Sequence, residues 1–285
     1  MRTPLISVVV PTLNQAPFIE QTLASIAGQG WPRLEIIVVD GGSSDGTHAI
    51  VERYHHVVTH FISEPDTGQA NAINKGMRLA KGDILAWLNS DDYYLPLTLA
   101  RAAAGLEHVT RPRLVYGGCL MVFEGAQRAL MAPAHAFDRV RLTYCDLIYQ
   151  PSAFWTRPLW ETTGELTERY HFVLDWEWWL RAAAHGDFVA LDDCLSVYRF
   201  HDAHKTSGRS PRRSTEIVEL VTAYASPEWV AAYHAVAGRL DRLEKTWRYC
   251  ANRRGLWTFH QLVHLDLYAR HGAKVDQAFS QLHVG

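Results

Sequence analysis

The sequence predicts an α/β fold in which a mostly parallel central sheet is flanked by helices, followed by a helical C-terminal extension. Short β-branched runs alternate with stretches of helical periodicity from Leu5 to Leu88, the pattern of repeated strand–helix units with right-handed crossovers. Each of the principal runs empties into polar or acidic residues, at Thr12, Asp40 and Asn89–Asp92. Beyond Arg212 the pattern changes to amphipathic helices without strands. The expected boundaries are a catalytic domain over 1–208, divided at about 95 into a ligand-binding half and a second half over 96–208, then the extension over 209–285.

Composition narrows the class. A chain of 285 residues that is 48% hydrophobic and 20% charged can bury a sizeable core. Its formal net charge of −2 gives no argument for nucleic acid. The four cysteines are widely spaced with no CxxC pair, which suits reduced thiols in a cytoplasmic protein. Leu5–Val10 is too short for a secretory leader, and no apolar run reaches the roughly 18 residues of a membrane span.

Leu5–Val10 reads as a buried strand stopped by Pro11-Thr12. Phe18, Ile19, Thr22, Leu23 and Ile26 then recur at helical spacing, and Gly28 and Gly30 close that helix. Leu34–Val39 is the second strand, with Asp40 at its tip, followed by Gly41–Thr47 and a short helix to about Tyr54. GGSSDG is not GxGxxG and follows the second strand, so it is no dinucleotide fingerprint. Asp40 suits hydrogen bonds from a nucleobase imide or a ribose, and equally a turn. Thr59–Ser63 is the third strand. A helix from Ala70 to Ala80 follows, whose N-terminal amides and Lys75 face a pyrophosphate on one reading and solvent on the other.

Ile84–Leu88 then ends abruptly in Asn-Ser-Asp-Asp. Adjacent carboxylates repel, and a hard divalent cation, Mg²⁺ or Mn²⁺, shared with substrate phosphates offsets that repulsion. A capped turn would use the same residues. Three strand–helix units place Asp40, Asp66 and Asp91/Asp92 along one sheet edge, where open α/β sheets bind ligands.

Four colinear segments, SVVVPTLNQAPFIEQTLASI, IIVVDGGSSDGT, SEPDTGQANAINKG and GDILAWLNSDD, together resemble the N-terminal half of a family 2 glycosyltransferase with the GT-A fold. YQPSAFW, LDWEWWLRAA and YRFH continue the resemblance more loosely. It implies binding of a nucleotide-diphosphate sugar with Mg²⁺ or Mn²⁺, and transfer with inversion. Thr12, Asn14 and Asp40, with Pro11 beside them, would meet base and ribose. Asp66, Gly68, Asn71 and Lys75 would line the ribose–diphosphate side. Asn89-Ser90-Asp91 stands where the family has its DXD motif, with Asn at the first position, so the metal contact would rest on Asp91. Asp92 is its neighbour. His201 of YRFH would complete the metal–diphosphate site.

An inverting transfer needs a carboxylate opposite the leaving group to take the acceptor proton. By motif position this is Asp175, with Glu177 behind it. Asp175 also suits the N-cap of a helix running through Ala184. Pro96–Leu106 reads as a helix, and Leu114–Tyr116 and Leu120–Phe123 as two short strands flanking Gly117-Gly118. Gln150, Ser152 and Trp155 would line the acceptor side, with Trp176 and Glu177; the helix's Trp176, Trp178 and Trp179 read mainly as core, with one of these rings available to stack on a sugar. His204, Lys205 and the 206–211 segment form a polar stretch expected to close over the diphosphate.

The tail has three readings: packing on the catalytic domain, a homodimer interface, or a peripheral contact with the inner membrane face. Packing ranks first, because Glu219, Glu228, Asp241 and Glu244 dilute its basic residues. The implied function is transfer from UDP-, dTDP- or GDP-sugar, UDP first, to a hydroxyl of a saccharide, lipid-linked saccharide or natural product. A sugar-nucleotide nucleotidylyltransferase would want an early glycine-rich loop with Lys or Arg, which PTLNQAP lacks. A non-catalytic nucleotide-sugar-binding subunit would not need both acid clusters.

Overall fold

A computed structural model describes residues 2–230 apart from 127, 203, 206–209 and 229. In chain order the first half holds β1 (Ile6–Thr12), α1 (Ile19–Ala27), β2 (Leu34–Asp40), α2 (Thr47–Arg53), β3 (His60–Ser63), α3 (Gln69–Leu79), β4 (Ile84–Trp87), β5 (Tyr93–Tyr94) and α4 (Thr98–Gly105). The second half adds β6 (Arg113–Phe123), β7 (Arg128–Ala132), α5 (Arg139–Leu142), β8 (Ala153–Thr156), α6 (Arg157–Thr163), α7 (Leu174–Ala182), β9 (Asp187–Phe200) and α8 (Pro211–Tyr224).

The strands form one sheet in the order β3-β2-β1-β4-β8-β6-β9-β5, with β7 hairpinned onto β6. β3, β2, β1 and β4 are mutually parallel, β8 runs against β4 and β6, and β6 pairs parallel with β9. This is the mostly parallel α/β architecture expected of a GT-A fold. Alternate residues of the first strands, Val8, Val10, Ile36 and Val38, pack with Ile19, Leu23 and Ile26 of α1 in the main core. The described residues fall into two compact units. One runs through Phe137 and resumes over Leu147–Arg213, and holds the whole sheet; the other takes in Asp138–Asp146 and the chain from Ser214. In the second unit Asp138 caps α5, its carboxylate accepting from the Arg141 amide at 2.9 Å.

Two expectations are corrected here. Pro11 does not stop β1, which continues to Thr12. β4 pairs with β1 only as far as Val9, so at Pro11 the remaining neighbour is β2 and the missing N–H forfeits little. The segments around Gly117-Gly118 are not two strands but one eleven-residue β6. The glycines sit at a register shift against β9, and a Cβ on Gly117 would lie 2.5 Å from Leu195 Cγ and 2.6 Å from the Asp193 carbonyl oxygen. Glycine inside a strand marks a bulge with close backbone approach as readily as a break.

The tryptophans form the second core. Trp87, Trp155, Trp178 and Trp179 are fully buried, with Trp160 at their edge. Trp87 of β4 and Trp179 of α7 stack 5.5 Å apart and nearly parallel. The strand that leads to the Asn-Ser-Asp-Asp turn is thereby packed on the helix that carries Asp175. Cys119, Cys145 and Cys194 are free thiols. Among the described residues no helix is long and apolar enough to cross a membrane. Most of the expected closing segment, 206–209, and the tail beyond 230 lie outside the described residues.

Candidate active site at the strand tips

The tips of β1 and β2 are stitched together by their loops. Asn14 donates its amide to Ser43 Oγ at 2.7 Å and accepts from the Ser44 amide at 2.9 Å. Asp45 accepts from the Ala16 amide at 2.9 Å and from Thr47, which itself receives the Gln15 amide at 2.9 Å. Desolvation opposes the Asp45 charge, but the bonds from Thr47 and Ala16 hold its carboxyl below the ordinary carboxylate pKa. Asp40 is wholly buried; it accepts from the Ser43 amide and hydroxyl and from Ser63 Oγ at 2.7 Å. Beside it the Thr12 hydroxyl is buried with no hydrogen-bond partner. Asp66 accepts from the Gly68 amide at 2.8 Å and packs against Gly41, where a Cβ would lie 2.7 Å from its Oδ2.

The turn after β4 is held from below and left open above. Thr22 Oγ1 lies 2.9 Å from the Ser90 carbonyl oxygen and 2.6 Å from that of Asp92, the hydroxyl shared between them. Ser90 is buried, and Asp91 is half-buried. The Asp91 carboxylate meets His201 Nε2 at 3.2 Å, joining residues 110 positions apart. The Phe18 ring lies tilted against the imidazole at 4.2 Å, and His204 lies edge-on at 5.7 Å. Burial, opposed by the nearby Asp91 charge, leaves the His204 imidazole less basic than usual. Asp92 is wholly buried, with Oδ1 accepting the Arg199 amide at 3.0 Å and Oδ2 without a partner. Desolvation and the adjoining Asp91 push its pKa well above the ordinary carboxylate value.

Asp175 sits in the first turn of α7, and burial raises its pKa, against the helix amide of Trp176 and the charges of Lys205 and Arg213. The expected N-cap is corrected: Val173 precedes the helix, and the Asp175 carboxylate accepts from Trp176 N at 2.8 Å. The Lys205 charge acts on Asp175. The Lys205 ammonium donates to Gln69 Oε1 at 2.7 Å, and Gln69 Nε2 donates to Asn89 Oδ1 at 2.7 Å. A small cleft of about 70 Å³, partly open to solvent, lies here, lined by Gly68, Gln69, Asn71, Glu168, His171 and Lys205 among others.

The other expected site residues are placed differently. Asn71 donates to Glu168 at 2.9 Å, and Thr67 donates to the same carboxylate at 2.7 Å. Those two bonds hold the Glu168 pKa below the ordinary value. Lys75 is tied to Glu64 at 2.6 Å and to the Pro65 carbonyl at 3.3 Å, turned to the loop before α3. Gln150, Ser152, Trp155, Trp176 and Glu177, expected on the acceptor side, are all buried. Gln150 donates to the Trp87 carbonyl at 2.8 Å, Ser152 to the Gly118 carbonyl at 2.8 Å, and Glu177 forms an ion pair with Arg181 at 2.7 Å. Trp155 belongs to the tryptophan core, 5.2 Å from Trp87.

Residues 7–144 match the family model described as glycosyl transferase family 2. Over 195 residues the chain is 34% identical to the PGL/p-HBAD biosynthesis glycosyltransferase of Mycobacterium bovis (strain BCG / Pasteur 1173P2), covering 66% of this chain and 73% of that protein. The chain belongs to glycosyltransferase family 2. Its fold is that of S. aureus TarS 1-349 in complex with UDP-GlcNAc, at a TM-score of 0.63, 20% identity and coverage of 99% of this chain and 76% of the other. The mannosyltransferase PcManGT from Pyrobaculum calidifontis, in complex with GDP-Man and Mn2+, matches at a TM-score of 0.60 and 22% identity, covering 99% of this chain and 84% of that one.

Sequence reasoning about this glycosyltransferase missed Thr22, Gln69 and Glu168. Asn71, Asn74 and Arg78, spaced along one stripe of α3, were the available signal for Glu168. Asn74 exchanges both amide groups with the Leu166 backbone and Arg78 pairs with Glu165, so the stripe docks the 165–168 segment.

Proposed function

We propose that the enzyme is a metal-dependent inverting glycosyltransferase that moves a sugar from a nucleotide-diphosphate donor, UDP-sugar first, to an acceptor hydroxyl. The observation that carries this reading is the Asp91–His201 pair at the tip of β4, together with a desolvated Asp175 on which the Lys205 charge acts. The neighbours named above supply the donor chemistry by analogy: one is a complex with UDP-GlcNAc, another with GDP-Man and Mn2+.

The residues present fit a divalent ion. Among the described residues no group of three His, Cys, Asp or Glu side chains assembles, but a carboxylate and an imidazole lie within 3.2 Å of one another. Two protein ligands leave the remaining positions of a six-coordinate ion for diphosphate oxygens and water, as suits Mg²⁺ or Mn²⁺. The ion, once bound, neutralises charge on the departing diphosphate. The Thr12 hydroxyl, buried without a partner, and the Asp40 tip offer the nucleoside a polar floor. Asp175, held in a dry position that raises its pKa, takes the proton of the acceptor hydroxyl as that oxygen attacks the anomeric carbon. The acceptor would be a saccharide, a lipid-linked saccharide or another hydroxylated molecule.

The test is thermal stabilisation by UDP, dTDP and GDP with and without Mn²⁺, on the wild type and on Asp91→Ala. Saturating a nucleotide site at 100 times Kd adds about 2.7 kcal/mol of stability. One nucleotide should stabilise the wild type, and Mn²⁺ should enlarge the shift only while Asp91 is present. Asp91→Ala with an undiminished Mn²⁺ effect would remove that residue from the metal site.

A further inference from the structure

β9 pairs with β6 as far as Phe200, so His201 is the first residue past the ladder. Strand pairing does not aim its imidazole; side chains do. Asp91 meets the ring at 3.2 Å, and the Phe18 ring lies against it at 4.2 Å. Phe18 is a shared contact. Its ring centre is 4.9 Å from the guanidinium carbon of Arg199, and the Tyr93 ring meets the same guanidinium at 5.1 Å. Arg199 is only 4% exposed, yet its side chain reaches Gln21 of α1 at 2.6 Å and Glu124, just after β6, at 3.4 Å. Its backbone amide donates to Asp92 at 3.0 Å. One residue thus ties the start of α1, the Asn-Ser-Asp-Asp turn and the end of β6 to the strand end that holds His201.

Burying a cation is costly even when it is paired, and an apolar side chain would fill the space between two rings without that cost. What a guanidinium adds is direction, because its donors leave a rigid plane at fixed angles and reach several elements at once. We propose that Arg199 is a positioning residue for the divalent ion: by fixing Phe18 and the backbone beside Asp92, it holds the His201 imidazole against Asp91. The proposal rests on the metal reading above. Arg199 is enclosed by Phe18, Tyr93, Gln21 and Glu124 and acts through His201. An imidazole already aimed at Asp91 loses less freedom when an ion binds than one that must first be ordered, so the pair binds the ion more tightly.

The experiment is titration of the full chain with Mn²⁺ in the presence of UDP or GDP, with free Mn²⁺ counted by electron paramagnetic resonance. Arg199→Met, Arg199→Lys and Gln21→Leu are each made alone and combined with His201→Ala. Arg199→Met should weaken Mn²⁺ about 10- to 100-fold, while nucleotide affinity in EDTA changes less than about twofold. In the His201→Ala background the same substitution should change Mn²⁺ affinity less than about twofold, because its effect passes through the missing imidazole. Arg199→Lys keeps the charge without the planar fork and should recover only part of the loss. Gln21→Leu frees one end of the guanidinium without altering β9; it should lie between, and it carries the test if Arg199→Met does not fold. Equal Mn²⁺ losses with and without His201 would mean that Arg199 only supports the fold, and the assignment would be wrong. No loss in any variant would also overturn it. A His201→Ala protein that binds Mn²⁺ as tightly as the wild type would sink the metal reading first, and this inference with it.

Discussion

Asp40 and Asp92 are the same residue type, both wholly buried and both at the strand-tip edge of the sheet, yet their hydrogen-bond surroundings differ. Asp40 collects an amide and a hydroxyl from Ser43 and a hydroxyl from Ser63, so its charge is solvated by the protein. Asp92 has the Arg199 amide and charge and the Asn89 side chain to favour its ionised form, but desolvation and the adjoining Asp91 outweigh them. Burial alone therefore decides nothing about a carboxylate; the donors around it do. The loops around Asp40 form a finished hydrogen-bonded frame. Around Asp92 desolvation outweighs the donors present, and on the proposed function that is the side that takes up an ion and a proton.

Asp175 is the sharpest case of the second condition. Replacing it with Asn keeps its shape and its place in α7 but removes the basic oxygen. The turnover number should fall by about 10² to 10⁴, with little change in melting temperature. If Asp175 is the base proposed above, it works only when ionised, and desolvation raises its pKa. The acid limb of the kcat/KM profile should therefore lie above the ordinary carboxylate range. An Asp175→Asn enzyme that still turns over at the wild-type rate would show that desolvation does not mark the base here.

The two buried aspartates themselves can be set against each other with one substitution each. Asp40→Asn turns an amide against donors that have no other acceptor, and should cost about 2–4 kcal/mol in urea unfolding. Asp92→Asn should cost less than about 1 kcal/mol, because its carboxylate is already disfavoured. The pH dependence follows from the raised pKa. The folded state binds that proton more tightly than the unfolded state, so stability is fullest below the unfolded value. It declines as pH rises from there through the raised folded value. The difference between wild type and Asp92→Asn should change over that window and be flat outside it. Equal costs for the two substitutions at neutral pH would erase the distinction between the two sides.

Much of the first half of the fold was legible because β-branched runs and the period of α1 and α3 carry their own signal. The run LISVVV gave β1, and only its end was misjudged, since a proline breaks a ladder only where a second neighbour is there to be lost. Gly117-Gly118 misled because a bulge and a turn use the same residues for different reasons. Asp91 and His201 were legible through motif resemblance, and their contact at 3.2 Å is a long-range fact that local patterns do not contain. Trp155 and Gln150 were assigned to the acceptor by their neighbourhood in sequence. Composition cannot distinguish an indole that stacks on a sugar from one that packs edge-on against Trp87. The two glutamates of the 165–168 segment could not be placed from sequence either, since their partners on α3 lie 87 to 97 positions away.

That segment gives the mildest expected effect. Arg78 forms a bidentate pair with Glu165 at 2.6 and 2.5 Å, but the two side chains remain 55% and 41% exposed. Solvent and salt screen such a pair, so Arg78→Ala should cost about 0–1 kcal/mol and less still at high ionic strength. The buried work is done next to it, where Asn74 bonds both backbone groups of Leu166. A loss above about 2 kcal/mol for Arg78→Ala, insensitive to salt, would mean that the stripe along α3 acts as one cooperative unit. The 165–168 segment would then belong with the finished frame around Asp40 and not with the open side of the site.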